Sequence, residues 1–332
     1  MNIFEYLGED KDHRKQTKVT QLVKHYDEVI AKHKDKPLWI QKKEDGVCAL
    51  AVVDSDGTVS CKIFSRTGKE FQNVYKLRYD MIAANLPSGV YMGEIVNDDY
   101  SLEQLSGAVN PNRTNQLSES ATQIIDNMQF KMFDFVTLNE FVGGKSDLGW
   151  AERFNTLYKN VDQAKPAGYK YSFSVIPAIP TPYEYLIDQE LEKAIAKGHE
   201  GLVIRDPKAG WLAGHKGWHV MKKVRGVDYD LRCIGIEEGT GKYEGKVANL
   251  IFQWRNGETI KCMLGKGWSH QDAEDMYDVV NYGESVGMPH YDNRDSPIGK
   301  IFQVYALEES SKGKLRLPKV GELRHDKEEP DV

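Results

Sequence analysis

A lysine with the surroundings of a nucleophile lies in the segment Trp39–Gly46. An apolar run leads to Lys43, Asp45 follows two residues later, and Gly46 completes a Lys-x-Asp-Gly pattern. A lysine amine becomes a nucleophile when it loses its proton, which nearby cations, a metal ion or desolvation promote. Phosphoamide chemistry on a nucleotide needs such a lysine at the end of a rigid strand, beside a tight turn. Taken alone, the same residues also suit an ordinary solvent-facing hairpin.

Two further strands carry residues that fit nucleotide chemistry. Glu94 lies in the apolar run Gly89–Val96, where a buried carboxylate is costly unless it has a partner. A ribose hydroxyl, a metal ion or a core lysine are all possible partners. Phe133 lies in the run Phe130–Val136 and is able to stack on a planar base, although packing in the core is the commoner fate of phenylalanine.

Basic residues occur in two places that suit phosphate contacts. Ser65, Arg66 and Lys69 surround a glycine turn, and arginine binds phosphate through two parallel hydrogen bonds. Residues 208–225 interleave basic side chains with tryptophans, as expected for a phosphate-rich ligand. The basic and aromatic residues of this second segment are Lys208, Trp211, Lys216, Trp218, Lys222, Lys223 and Arg225.

The surrounding pattern predicts an α+β fold. Helical spacing predicts a helix over 17–33, and a hairpin is expected from residues 47–64. A capping box at Thr181 predicts a helix that ends at Gly198, and a short strand follows over 200–205. From about Val227 the chain contains short β segments and one helix capped by Ser269, which fits a β-barrel of the OB-fold type.

Composition limits the function classes. The 332 residues carry a net charge of -6 with a pI of about 5.9, so a nucleic-acid surface must be a local basic patch. The four cysteines are scattered, which predicts reduced thiols in a cytoplasmic protein. We find neither a secretory signal nor an apolar stretch long enough for a membrane span, and we expect no membrane partner.

In order and spacing, these motifs resemble the ATP-dependent DNA ligases of the covalent nucleotidyltransferase superfamily, especially the small two-domain phage type. The resemblance covers about residues 35–327. The matching motifs are Lys43–Gly46, Ser65–Gly68, Gly93-Glu94, Phe133-Asp134, Glu200–Arg205 and Arg324–Lys327.

The resemblance implies that Lys43 attacks the α-phosphate of ATP and becomes adenylylated. It implies that Glu94 binds the ribose and that Phe133 stacks on adenine, with Mg²⁺ as the metal. The nucleotide-binding residues implied are Gln41, Lys42, Glu94, Phe133, Lys222, Lys223, Arg324 and Lys327. The implied metal ligands are Glu200 and Glu94. The implied DNA-binding residues are Ser65, Arg66, Lys69, Arg205 and Lys216.

Four positions depart from the family pattern. Gln41 replaces a frequent glutamate, and Met92 stands where aspartate often precedes Gly-Glu. Cys48 replaces a frequent arginine, so another residue, for which Arg66 is the candidate, must hold that phosphate. Lys222 and Lys223 are adjacent, and neighbouring strand residues point to opposite faces; we favour Lys222 as the one that faces the phosphate.

These observations predict a nucleotidyltransferase (adenylation) domain with antiparallel sheets and helices over 1–227 and an OB-fold domain over 228–332. The predicted function is sealing of nicked double-stranded DNA by a monomer, with ATP and Mg²⁺. The alternatives are an RNA ligase, a GTP-dependent capping-type nucleotidyltransferase, and a non-catalytic OB-type nucleic-acid-binding protein.

Overall fold

The chain divides into two compact units, residues 1–224 and residues 225–332, against a predicted boundary after residue 227. The computed structural model describes residues 1–14, 19–26, 36–164, 169–181, 183–224, 226–265, 267–285, 295–306, 309 and 313–332. Their helices are α1 (Ile3–Tyr6), α2 (Tyr75–Ala83), α3 (Leu102–Val109), α4 (Glu119–Asn127), α5 (Leu138–Gly143), α6 (Trp150–Gln163), α7 (Glu184–Ala196) and α8 (His270–Ser285).

The strands of the first unit are β1 (Leu22–His25), β2 (Leu38–Lys43), β3 (Val47–Asp54), β4 (Ser60–Ser65), β5 (Gly89–Val96), β6 (Gln129–Val136), β7 (Lys145–Ser146), β8 (Phe173–Val175), β9 (Ala178–Thr181), β10 (Gly201–Arg205), β11 (Trp211–Leu212) and β12 (Lys216–Val224). Those of the second unit are β13 (Val227–Glu238), β14 (Val247–Gln253), β15 (Thr259–Leu264), β16 (Ile301–Ala306) and β17 (Lys319–Leu323).

The first unit contains two five-stranded sheets and a two-stranded sheet of β7 and β11. The Glu94 sheet has the order β4-β3-β5-β6-β8, and the Lys43 sheet has the order β1-β12-β10-β2-β9. Their pairings are antiparallel except for β6–β8 and β1–β12. Helices α2, α3, α4 and α6 pack on one face of the Glu94 sheet, α1 and α5 pack on its other face, and α7 packs on the Lys43 sheet.

Local sequence explains the predicted hairpin, which is confirmed as β3 and β4. The Asp54 carboxylate accepts a hydrogen bond from the Asp56 backbone at 3.0 Å, and Gly57 adopts a φ of +89°. Both features are typical of tight turns. Strand β3 buries Leu50 on one face of the Glu94 sheet and Ala49 and Ala51 on the other, so a hydrophobic core lies on each face of the sheet.

The second unit is a closed barrel with the strand order β13-β14-β15-β17-β16. Phe252, Phe302 and Val304 are fully buried, and each such side chain contributes about 1.5–3 kcal/mol of burial free energy. The predicted cap of α8 is confirmed, because Ser269 and Asp272 exchange backbone and side-chain hydrogen bonds at 2.7 and 3.1 Å. The predicted OB-type barrel architecture is therefore present.

Two local predictions are wrong. Within the helix predicted over 17–33, Leu22–His25 forms strand β1, and residues 17–18 and 27–33 lie outside the described part of the chain. Parallel pairing with β12 overrides the helical spacing. The capping box at Thr181 is also absent: Thr181 belongs to β9, and α7 begins after Tyr183 without a side-chain cap. The predicted end of that helix is confirmed near Gly198, whose φ is +76°.

Candidate active site

Lys43 is the last residue of β2, and its partner across the Lys43 sheet is Gly201. Gly201 adopts a φ of +151°, and a Cβ there would lie 2.4 Å from the carbonyl oxygen of Lys223. Only glycine therefore allows β10 to begin directly after Glu200. As a result Glu200 reaches Lys43, with 2.5 Å between Lys43 Nζ and Glu200 Oε2, and both side chains remain partly exposed.

Glu94 completes this group from the neighbouring sheet. Burial raises the pKa of the Glu94 carboxyl to about 8; the positive charges of Lys43 and Arg66 oppose the rise, whereas the charges of Glu200 and Asp45 add to it. Charges influence each other this way only at short range. Lys43, Glu94 and Glu200 are called the nucleophile cluster below.

The turn after β2 is fixed by one acid and one glycine. Glu44 is buried and pairs with Lys42 at 3.0 Å and with Lys131 at 3.5 Å. A Cβ on Gly46 would lie 2.5 Å from the carbonyl oxygen of Ile95. The Lys-x-Asp-Gly turn thus packs directly on β5, the strand that carries Glu94, and glycine is required for that approach.

Lys42 is directed away from the nucleophile cluster. Strand alternation places it on the face of Leu38 and Ile40, which pack against α7. Its ammonium pairs with Glu44 there. This position argues against the predicted nucleotide contact by the Lys42 side chain.

Gln41 shares a face of β2 with Lys43, and its amide is engaged by protein groups. Gln41 Nε2 donates to the carbonyl oxygen of Ile176 at 3.0 Å, and Gln41 Oε1 accepts from Arg205 Nε at 2.9 Å. The Arg205 guanidinium lies 5.0 Å from the ring centre of Phe133 and 5.1 Å from that of Trp150. Phe133, the predicted base-stacking residue, is therefore backed by a cation.

Asp134 binds two arginines in the interior. Arg153 donates through Nε and Nη2 to the two Asp134 oxygens at 3.0 Å each, and Arg205 Nη1 lies 3.8 Å from the same carboxylate. Burial lowers the pKa of Arg205 to about 10, although Asp134 opposes the decrease. Arg205 is buried and surrounded by protein, so the predicted DNA contact by this residue is not supported.

The adjacent lysines of β12 lie on opposite faces. Lys222 is aligned with Val203 and, through it, with Gln41, so it shares the face of Lys43. Lys223 is on the α7 face, where its ammonium lies 2.5 Å from Asp188 Oδ1. This position argues against the predicted nucleotide contact by the Lys223 side chain, whereas Lys222 is on the side of the nucleophile cluster.

The predicted phosphate-contact residues after β4 form an ordered, accessible turn. Ser65 Oγ lies 3.0 Å from Thr67 Oγ1 and accepts from the Lys69 backbone at 3.2 Å. Arg66 and Lys69 are exposed. Arg66 also acts on the pKa of Cys48, which burial raises well above its usual value. Arg66 thus lies close to Cys48, the position at which related ligases often have an arginine.

The basic stretch over 208–225 is mixed in character. Lys216 is exposed at the start of β12, as a phosphate contact requires. Trp211 is instead buried and stacks on Phe141 at 5.8 Å, so it belongs to the core and is not available to a ligand.

In the barrel, the predicted nucleotide-binding residues Arg324 and Lys327 follow β17 and share one carboxylate. Arg324 Nη1 donates to both oxygens of Asp230 at 2.9 and 2.7 Å, and Lys327 Nζ lies 2.5 Å from Asp230 Oδ2. The structure therefore brings this pair together in the second unit.

The donor set suits magnesium when a substrate shares it. Within the described ranges, no group of three or more His, Cys, Asp or Glu side chains is placed to hold a metal alone. Mg²⁺ commonly uses one or two carboxylates together with substrate phosphates. Burial is the main cause of the raised pKa of Glu94 and the negative charge of Glu200 adds to it, so a divalent cation between them would relieve that repulsion.

Among the residues of these networks that the sequence analysis did not identify are Glu44, Trp150, Arg153 and Asp230. One signal was present. Arg153 lies in α6 on the same stripe as Trp150, Phe154 and Leu157, where a charge within an apolar face indicates a buried partner.

The fold and the lysine-centred site define a nucleotidyltransferase domain followed by an OB-like barrel. A family model for the ATP dependent DNA ligase domain matches residues 18–223, and a model for the DNA ligase OB-like domain matches residues 238–324. The chain belongs to the ATP-dependent DNA ligase family.

Individual relatives match parts of the chain or its fold. The DNA ligase of Cenarchaeum symbiosum is 28% identical over 162 residues, which cover 44% of this chain and 26% of that protein. A structure from a study of Lig E DNA ligases covers 92% of this chain and 98% of its own, with a TM-score of 0.63 at 18% identity. The bacteriophage T7 ligase in complex with ATP covers 91% and 97%, with a TM-score of 0.53 at 18% identity.

The match spans only about a quarter or less of the length of the curated relatives, for example 26% and 16% of two of them. At 18% identity, the structural likeness shows the fold. Among the helices that the structure describes, none has both the length and the apolar character needed to cross a membrane.

Proposed function

We propose that this protein is an ATP-dependent DNA ligase that seals 5′-phosphate/3′-hydroxyl nicks in duplex DNA through a lysyl-AMP intermediate at Lys43. The observation that carries the proposal is the nucleophile cluster, in which Lys43 lies 2.5 Å from Glu200 beside Glu94. A lysine ending a strand beside two acids suits attack on a metal-bound nucleotide. We expect a monomer that acts in the cytoplasm, where its DNA substrate lies.

In the first step the neutral Lys43 amine attacks the α-phosphorus of ATP. A phosphorus–nitrogen bond forms, the bond to the β-phosphate oxygen breaks, and pyrophosphate leaves. Glu200 is hydrogen-bonded to Lys43 Nζ and is placed to take up its proton. Mg²⁺ held by Glu94 and Glu200 would neutralise the phosphates and stabilise the charge that develops on them.

The remaining steps transfer AMP. The 5′-phosphate of the nick attacks the lysyl-AMP phosphorus, so the phosphorus–nitrogen bond breaks and a DNA-adenylate forms. The 3′-hydroxyl then attacks the DNA 5′-phosphorus, AMP leaves, and the phosphodiester bond is complete. We assign Phe133 to the adenine, Glu94 also to the ribose, and Lys222 to the phosphates.

Binding to DNA is assigned to the partly exposed Ser65 and to the exposed residues Arg66, Lys69 and Lys216. Arg66 is the strongest candidate for the nick phosphate because its charge also reaches Cys48 and Glu94. Contacts between arginine or lysine and phosphates release counterions, so nick binding should weaken steeply as salt rises.

The experiment is intact-mass analysis after the protein has been stripped with pyrophosphate and incubated with Mg²⁺ and either ATP or GTP. We expect one added AMP on Lys43, followed by sealing of a nicked DNA duplex. Lys43→Ala should gain no AMP, whereas Lys42→Ala should gain it, because Lys42 faces away. A GMP adduct would indicate capping-type chemistry, and a protein that takes up neither nucleotide would contradict the proposal.

A further inference from the structure

Asp230 lies on β13 of the barrel, outside every motif that the sequence analysis identified. Its side chain is 7% exposed, and it accepts from Arg324 Nη1 through both oxygens and from Lys327 Nζ. Burying a carboxylate is costly unless it is fully paired. The two cations therefore compensate the free-energy cost of burying the Asp230 carboxylate, and the carboxylate fixes the positions of both cations.

Two other acids contact the same cations from exposed positions. Asp326 accepts from Arg324 Nε and Nη2 at 3.0 and 2.8 Å, and Asp331 Oδ1 accepts from Lys327 Nζ at 3.0 Å. Asp331 Oδ2 also accepts from the backbone nitrogen of Asp230 at 2.7 Å, which anchors Asp331 to β13. Their side chains are 67% and 40% exposed. Hydrogen bonds to Arg324 lower the pKa of Asp326 to about 2, so it is a carboxylate at neutral pH.

The five groups carry two positive and three negative charges, which is a net charge of -1. In this arrangement they do not attract a polyanion. Exposed ion pairs are weak and exchange readily with competing ions, whereas a buried pair is hard to separate. A phosphate can therefore replace Asp326, which is the most exposed of the three acids, while Asp230 and Asp331 stay bound.

We propose that Asp230 is a positioning residue for the pyrophosphate-releasing step, because it holds Arg324 and Lys327 together while Asp326 gives way to the phosphates. This inference rests on the proposed function. Asp230 touches no substrate; it acts through the two cations. Pyrophosphate is released only when Lys43 attacks ATP, and neither transfer of AMP to DNA nor phosphodiester formation involves it.

The test separates these steps in the full-length protein. Asp230→Asn keeps the shape of the side chain but removes its charge. Lys43 adenylylation from ATP is measured by rapid quench, and sealing is measured on a nick that already carries a 5′-adenylate. We expect adenylylation to fall on the order of 10²-fold, as when groups that contact the reacting phosphates are misplaced by about 1 Å, while sealing of the adenylated nick changes less than about twofold.

Asp228→Asn is the matched control, because Asp228 lies two residues earlier on the same strand and is exposed. It should leave both reactions unchanged. Asp230→Glu keeps the charge and is used if Asp230→Asn does not fold; its displaced carboxylate should also slow adenylylation selectively.

The outcomes are distinct. Equal loss of both reactions, or loss of neither, in the folded variant would overturn the role of Asp230 while leaving the ligase proposal intact. Failure of both variants to fold would make Asp230 a stability residue only and would also overturn the inference. If the unchanged protein takes up no AMP, the proposed function itself fails.

Discussion

Asp134 and Asp230 each bind two cations through one carboxylate, and the two groups differ in exposure. Asp134 holds Arg153 and Arg205 inside the first unit, where all three side chains are at most 4% exposed. Asp230 holds Arg324 and Lys327 in the barrel, where the cations are 24% and 34% exposed. The charges are alike, but only the second group can be reached by a ligand.

This difference separates support from recognition. The Asp134 group joins β6, α6 and β10 and places Arg205 behind Phe133, so its effect on a nucleotide is indirect. The Asp230 group presents its cations to solvent and can exchange partners. Mutations should therefore act on stability at the first group and on a single reaction step at the second.

The largest expected effect is at Asp134. Asp134→Asn leaves Arg153 and Arg205 close together without their shared carboxylate, and breaking a buried pair in this way costs about 3–5 kcal/mol. Urea denaturation of the full chain, with hydrogen exchange read at β6, measures the loss. The control is Asp147→Asn, which removes an exposed ion pair with Lys145 and should change little. An equally small effect at Asp134 would remove the distinction drawn above.

The next effect compares the two adjacent lysines of β12, which lie on opposite faces of the strand. Lys222→Ala should slow Lys43 adenylylation on the order of 10²-fold, because a charge that stabilises the transferring phosphates is lost. Lys223→Ala should leave the rate within about twofold, since Lys223 pairs with Asp188 on the other face. Rapid-quench rates at saturating ATP decide between them. The reverse order of effects would mean that the face assignment is wrong.

A smaller effect concerns the stability of the barrel. Asp230→Asn should lower the unfolding free energy less than Asp134→Asn does, because water and neighbouring acids can still serve Arg324 and Lys327. Exposed charges are also screened by salt. The difference between Asp230→Asn and the unchanged protein should therefore shrink in 1 M NaCl, while that for Asp134→Asn should persist. Equal salt responses at the two sites would contradict this comparison.

The last effect is absent at neutral pH and grows only as the pH rises above 9. Burial raises the pKa of the Cys61, Cys233 and Cys262 thiols from 9.0 to about 12. The folded state keeps these protons longer than the unfolded state, so stability that is present below pH 9 should be lost progressively between pH 9 and pH 12. Urea midpoints across this range measure it, and Cys233→Ala with Cys262→Ala should reduce the slope. Rapid alkylation of the folded protein at pH 9 would argue against burial as the cause.

The sequence predicted what is contiguous in it. The lysine turn, the hairpin, the strands that carry Glu94 and Phe133, and the barrel strands all follow from local alternation and turn residues. Strand β1 was missed because its pairing partner, β12, lies about 190 residues further along the chain. The local spacing of apolar residues carries no information about so distant a partner, yet pairing with that partner makes residues 22–25 a strand.

Burial is the reason that the structure argues against some of the predicted contacts within the site. Arg205 closes a motif and reads as a surface cation, yet Asp134 and Gln41 bind it in the interior. Whether an arginine faces a ligand or the core depends on residues brought from other elements. Lys222 and Lys223 were separable in principle by strand alternation, but the face of each required the register with β10.

The register of β12 with β10 depends on an apolar residue, Met221, and that register decides which lysine lies near the nucleophile cluster. Met221 is fully buried against α7, directly before the two lysines. If β12 slid by one residue along β10, Met221 would be expelled from the core, Lys222 would enter it, and Lys223 would turn toward Lys43. Burial of the Met221 side chain thereby determines which of the two adjacent lysines faces Lys43. Replacements of Met221 should be judged by this criterion as well as by the volume they fill.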